Sequence, residues 1–153
     1  MLIHETLVRE RCFYGVSGNS KKRVLEQASE LIAEQVPDLD SEQIFSGLIG
    51  RERLGSTGIG EGIAIPHCRL ESCTQTTGAL LRLKEPIDFD AIDGQAVDLL
   101  FVLLVPTEAT EAHLQTLAAL EMFSKADVRN LLRSTESAEQ LYQATVDYEM
   151  EKI

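Results

Sequence analysis

Apolar residues recur at helical spacing in two stretches near the N-terminus. Residues 20–36 place their apolar side chains on one face of a helix, with a serine at the first position as candidate cap. Asp40 and Gln43 have capping-box spacing and predict a second helix, which runs to about Leu54 and stops before Gly55. The same periodicity predicts three more helices, near residues 108–123, 126–133 and 137–148, and Ser137 and Gln140 have capping-box spacing for the last.

Between these two groups of helices the pattern changes to short apolar runs. Residues 63–65 predict a short strand that Pro66 ends, and residues 77–84 predict another. Residues 97–105 form an almost unbroken apolar run, which is typical of a strand covered on both faces. We therefore predict an α/β fold, a three-layer α/β/α domain with a mixed β-sheet flanked by helices.

The composition is that of an ordinary globular protein, with 44% hydrophobic and 25% charged residues. No repeat or linker divides the chain, so we predict a single domain over residues 1–153, in which about the first 12 residues are peripheral. No apolar run reaches the roughly 18 residues of a membrane span, and no export signal is visible at the N-terminus. We expect a cytoplasmic protein without membrane insertion.

The charge balance and the cysteines exclude further classes. The chain has 14 basic and 25 acidic residues, a formal charge of -11 that would repel a phosphate backbone, so nucleic-acid binding is not expected. Cys12, Cys68 and Cys73 form no CxxC pair and are interpreted as reduced thiols. A metal cluster of His67 with Cys68 and Cys73 lacks a recurring ligand spacing, so no metal site is predicted.

Residues 50–57 (GRERLGST) have the glycine spacing of a nucleotide-binding P-loop. However, Ser56 stands where that loop requires a lysine, and the preceding segment is predicted to be helical rather than a strand. We therefore disfavour a nucleotide site and predict no cofactor.

His67 is the strongest candidate for a chemically reactive residue. Pro66 restricts the backbone directly before it, so the imidazole is expected to project from the end of a strand. A neutral imidazole is a good nucleophile near pH 7. The same pattern also fits a histidine that makes an ordinary hydrogen bond at the end of a strand.

Other residues could complete a phosphoryl-transfer site around His67. His113 is expected near the start of a helix, where free backbone N–H groups favour a phosphoryl group. Arg51 could make a bidentate contact with phosphoryl oxygens, and Ser56 and Thr57 offer further donors. Spacing alone does not establish that these residues converge.

Residues 51–67 (RERLGSTGIGEGIAIPH) closely resemble the active-site signature of the fructose/mannitol-type enzyme IIA domains of the bacterial phosphotransferase system. Residues 20–23, 86–93 and 97–106 resemble the nitrogen-regulatory branch of this family. The likeness extends over nearly the whole chain. One departure is Cys68, because many members of the family have glycine after the active histidine.

This resemblance implies that His67 is phosphorylated on Nε2 by a histidine-containing phosphocarrier protein of the HPr or NPr type. His113 would be the second active-site histidine and Arg51 the active-site arginine. The family also implies regulatory target proteins, such as potassium-transport regulators or sensor kinases, whose binding depends on phosphorylation.

Two other functions remain open at this point. One is a sugar-specific enzyme IIA that passes phosphate to an enzyme IIB during sugar uptake. We expect this less than a regulatory phosphocarrier, because the 153 residues contain no fused IIB or membrane domain. The other is a binding module that has lost transfer, which the presence of His67, His113 and Arg51 disfavours.

Overall fold

One mixed β-sheet organises residues 2–110 and 112–152, the part of the chain that the structure, a computed structural model, describes. Its strands are β1 (Cys12–Val16), β2 (Gly58–Gly60), β3 (Ile63–Ala64), β4 (His67–Leu70), β5 (Thr77–Ile87) and β6 (Val97–Pro106). The helices are α1 (Lys21–Gln35), α2 (Ser41–Glu52), α3 (Ala112–Phe123), α4 (Ala126–Arg133) and α5 (Ala138–Glu151). Two short 3-10 turns, Ile3–Thr6 and Arg9–Arg11, precede β1.

The strands follow the order β1-β5-β6-β3-β2, and β4 also pairs with β6. β1 is parallel to β5, whereas β5 and β6 are antiparallel; β3 and β4 both run parallel to β6. The short β2 pairs antiparallel with β3. The prediction of a mixed sheet is confirmed.

Two hydrophobic cores lie on opposite faces of the sheet, which confirms the predicted α/β fold with helices on both sides. On one face, Leu25 of α1 and Leu48 of α2 are fully buried against the sheet. On the other face, helices α3, α4 and α5 supply the buried residues. The N-terminal segment, predicted to be peripheral, packs into this second core through Ile3 and Leu7.

Side-chain caps start three of the helices where the sequence predicts them. Ser20 accepts a hydrogen bond from the backbone N–H of Arg23, and Asp40 accepts one from that of Gln43. Ser137 caps α5 in the same way. These caps satisfy N–H groups that have no partner within the helix, so they determine where each helix begins.

The predicted strand at 63–65 is β3, which ends at Ala64, just before Pro66. The sequence analysis did not predict that a second strand, β4, starts at His67. β3 and β4 pair with β6 in one continuous register, Ile63 opposite Leu99 and His67 opposite Leu103. The carbonyl of Pro66 still accepts a hydrogen bond from Leu103 N at 2.9 Å. Proline lacks only the N–H group, so it interrupts the ladder locally and pairing resumes at His67.

Candidate active site

A cleft of about 510 Å³ follows β4 between the second half of α2 and the beginning of α3. Arg51, His67 and His113 all line it, so the structure brings these three predicted residues together. Successive side chains of a strand point to opposite faces. Cys68 packs with the core beside α2, and His67 therefore faces the side on which α3 lies.

The imidazole of His67 is partly exposed and held by a single hydrogen bond. Its Nδ1 lies 2.8 Å from the carbonyl oxygen of Ile65. A carbonyl oxygen can only accept, so Nδ1 carries the hydrogen and the neutral ring has its lone pair on Nε2. Within the described residues Nε2 has no hydrogen-bond partner. The ring is thus oriented through one nitrogen and leaves the other available as a nucleophile.

Arg51 and His113 approach the cleft from opposite sides. Arg51 lies in the last turn of α2, where its Nη1 donates to the carbonyl of Gly55 at 2.9 Å. This contact uses one of the five N–H groups of the guanidinium. His113 is the second residue of α3 and is exposed to solvent. Together they place a permanent cation and a second imidazole at the mouth of the cleft.

Ser56 and Thr57 do not line the cleft, because their hydroxyl groups are used elsewhere. Ser56 Oγ donates to the carbonyl of Phe89 at 2.7 Å. Thr57 Oγ1 donates to the buried carboxylate of Glu52, which also accepts from the backbone N–H of Thr57. Direct contact of either hydroxyl with a phosphoryl group would require these bonds to break.

Glu52 joins the segment after Arg51 to the first helix. Its carboxylate is buried, and the ammonium group of Lys21 lies 2.9 Å from Oε1. The same ammonium group lies 4.9 Å from the centre of the Phe89 ring. This buried cluster fixes the end of α2, and with it the backbone from which Arg51 extends.

Arg69 is a cleft residue that the sequence interpretation missed. Its Nη1 donates to the carbonyls of Thr107 at 2.9 Å and Ala109 at 2.8 Å, and it lies 3.4 Å from that of Pro106. Arg69 lines the cleft two residues after His67. The sequence did not predict β4, the strand that places Arg69 beside the end of β6. The available signal was an arginine two residues after the end of the signature.

Known proteins resemble this chain in sequence and in fold. Residues 5–146 match the model of the family "Phosphoenolpyruvate-dependent sugar phosphotransferase system, EIIA 2". The chain belongs to this EIIA family. A nitrogen regulatory protein of Pseudomonas aeruginosa is 53% identical over 146 residues, which cover 95% of each chain.

Solved structures of EIIA proteins share the fold. The nitrogen regulatory protein IIA-Ntr from Neisseria meningitidis is 41% identical, with a TM-score of 0.83 over 94% of this chain and 98% of that one. The mannitol IIA of Escherichia coli is 22% identical, with a TM-score of 0.73 over 91% and 98% of the two chains. The first likeness extends to sequence, whereas the second concerns the fold alone.

In this EIIA chain the cysteine after the active-site signature is a poorly ionised thiol. Burial raises the pKa of Cys68 to about 12, and the neighbouring Cys73 adds to the rise. A thiolate is the reactive form of cysteine, so burial protects Cys68 from ready oxidation. The residue serves instead as a small side chain packed against Gly47 of α2.

Within residues 2–110 and 112–152, no three His, Cys, Asp or Glu side chains meet in a group that could hold a metal ion. In the same part of the chain, no helix combines the length and the apolar character needed to cross a membrane.

Proposed function

We propose that this EIIA chain is a regulatory phosphocarrier that accepts a phosphoryl group on Nε2 of His67. The observation that carries the proposal is the hydrogen bond from His67 Nδ1 to the carbonyl of Ile65, which leaves the Nε2 lone pair free in the cleft. We propose as donor a histidine-containing phosphocarrier protein of the HPr or NPr type.

Transfer proceeds by in-line attack of the Nε2 lone pair on the phosphorus of the donor phosphohistidine. One N–P bond forms as the other breaks, and the bonding electron pair stays on the donor nitrogen. The His67 ring becomes positively charged, and the Ile65 carbonyl stabilises this charge at Nδ1. The donor brings the phosphoryl group on a high-energy bond, so the reaction needs no nucleotide.

The other predicted site residues contact the phosphoryl group or support the backbone near it. Arg51 contacts the phosphoryl oxygens through its free N–H groups, and His113 approaches from the opposite side. For Ser56 and Thr57 we propose an indirect role: their bonds to Phe89 and Glu52 hold the segment that follows Arg51.

Exposed apolar side chains beside the cleft suit docking of a protein donor. Leu54, which lines the cleft, is 84% exposed, and Leu114, next to His113, is 64% exposed. Side chains of this kind contribute binding energy when a partner removes them from water. A partner that covers both would bring its phosphohistidine to His67.

The downstream role that we propose is regulatory, in the cytoplasm, with targets such as potassium-transport regulators or sensor kinases. The support is the likeness to nitrogen regulatory proteins over nearly the full length. A sugar-specific role would require that phosphorylated His67 pass its phosphoryl group to an enzyme IIB. Two results together would support a regulatory role. An added enzyme IIB should not remove the phosphoryl group, and a target protein should bind in a way that depends on phosphorylation.

The direct test is incubation with the phosphorylated carrier protein, followed by intact mass measurement before and after acid treatment. We expect one acid-labile phosphoryl group, since phosphohistidine hydrolyses in acid, and NMR of the imidazole should place it on Nε2. His67→Ala should abolish uptake, whereas His4→Ala, a histidine outside the cleft, should not. For His113→Ala we expect transfer slowed by roughly a hundredfold with the fold intact.

Two results would contradict this function. Acid-labile phosphate in the His67→Ala protein would remove the nucleophile from His67. A wild-type protein that binds the carrier but takes up no phosphate would instead indicate a binding module.

A further inference from the structure

Arg69 connects β4 to the loop that follows β6. It stands opposite Val105 in the β4–β6 ladder, so its side chain starts one position before the end of β6. From there it reaches Thr107 and Ala109, whose carbonyl oxygens lie 2.9 and 2.8 Å from Nη1. A single nitrogen of Arg69 thus binds two carbonyl groups of the turn that follows β6.

This arrangement depends on positive charge. Carbonyl oxygens that point to one place carry partial negative charges and repel each other, and a cationic donor offsets the repulsion. Burial does little to shape the loop, because Thr107, Glu108 and Thr110 are exposed. The Arg69 contacts therefore restrain this part of the described chain, together with the hydrogen bond from Ala109 N to Pro106 O and the packing of Ala109 against the second core.

The loop leads directly into α3, whose second residue is His113. Any movement of residues 106–109 would be passed to the first turn of α3, since few residues separate them. His67 and Arg69 lie on the same short strand and both line the cleft. Arg69 thus links the start of α3, which carries His113, to the strand that carries His67.

We propose that Arg69 is a positioning residue for phosphoryl transfer: it ties the β6–α3 loop to β4 and so holds His113 at the cleft. This inference rests on the proposed function of His67. It assigns to Arg69 no contact with the phosphoryl group. A misplaced group near the reacting atoms costs up to roughly a hundredfold in rate, which sets the size of the expected effect.

The test measures the rate of phosphoryl uptake from the phosphorylated carrier protein against carrier concentration. Arg69→Gln should slow transfer at saturation by roughly ten- to a hundredfold and leave the KM for the carrier nearly unchanged. Arg69→Lys should recover most of the rate, because an ammonium group can also donate to several carbonyls. Arg9→Gln is the matched control, since it makes the same charge change at an exposed arginine outside the cleft.

A double variant identifies the route of the effect. If Arg69 acts through His113, then Arg69→Gln combined with His113→Ala should be no slower than His113→Ala alone. Losses that multiply in the double variant would overturn the proposal, as would wild-type rates in Arg69→Gln.

Hydrogen exchange separates this inference from the proposed function. Amides in residues 107–110, 112 and 113 should exchange faster in Arg69→Gln than in Arg9→Gln, whether or not phosphate is transferred. Equal exchange in the two variants would refute positioning by Arg69. Absence of phosphate on wild-type His67 would refute the proposed function instead.

Discussion

Helix α2 approaches β4 closely at Gly47. A methyl group at this position would lie 2.8 Å from Sγ of Cys68 and 3.2 Å from Cδ2 of Leu70. Gly50 lies about one turn later in the same helix. Apart from its chain neighbours and the backbone of α2, no described heavy atom would lie within 4 Å of a methyl group at this position. The two glycines allow one substitution to be compared in a tight and in an open environment.

The expected free energies follow from two opposing effects. Replacing glycine by alanine within a helix favours folding by up to about 1 kcal/mol. Overpacking a tight contact typically costs about 1–3 kcal/mol. Gly50→Ala should therefore stabilise the protein, whereas Gly47→Ala should be neutral or destabilising. The two free energies of unfolding should differ by about 1–3 kcal/mol.

Equilibrium unfolding in urea measures this difference, with the denaturant slope as a check that both variants unfold in the same way. Adding Cys68→Ala to Gly47→Ala removes Sγ from the tight contact, so the pair should show a favourable coupling of about 1 kcal/mol. Equal midpoints for Gly47→Ala and Gly50→Ala, or no coupling with Cys68→Ala, would show that α2 and β4 are not closely packed here.

Three further outcomes are expected. Glu52→Gln should lower the free energy of unfolding in urea by about 3 kcal/mol, because Lys21 keeps its charge and loses its buried partner; unchanged stability would contradict the ion pair. Since the pKa of Cys68 is raised from 9.0 to about 12, its thiolate fraction should rise about tenfold per pH unit up to that value. Alkylation by iodoacetamide, followed by mass spectrometry, should therefore accelerate through pH 8–11, and a plateau near pH 9 would disprove the raised pKa. Glu149→Gln removes a carboxylate that accepts from the backbone N–H of Ile3, so amides in residues 3–7 should exchange roughly tenfold faster; wild-type exchange would exclude this anchoring role.

The features that could be predicted from sequence are those encoded within a few residues. The caps at Ser20, Asp40 and Ser137 each involve an N–H group three positions later, so residue type and spacing were sufficient. The buried strand at 97–105 was also predictable, because β6 is covered on both faces and needs apolar residues throughout. In the cleft, convergence of His67 with Arg51 followed from the signature rather than from periodicity.

The features that were missed depend on partners distant in sequence. β1 at Cys12–Val16 shows no regular alternation, and its pairing with β5 is what makes it a strand. Ser56 and Thr57 have suitable hydroxyl groups, but nothing in their own segment indicates that Phe89 and Glu52 use them. Arg69 acquires its role only when β4 and the end of β6 lie side by side.

The uninterrupted register of β3 and β4 restricts how the chain length can vary. The residues of β3 and those of β4 pair with β6 at the same offset, so the register is kept across Ile65 and Pro66. Deleting or inserting a single residue before His67 would turn its imidazole to the opposite face of the sheet, away from α3. Loops elsewhere tolerate such changes far better. The number of residues in this stretch therefore determines the face of the sheet on which the nucleophile lies. Insertions or deletions here should abolish phosphoryl transfer even where the protein still folds.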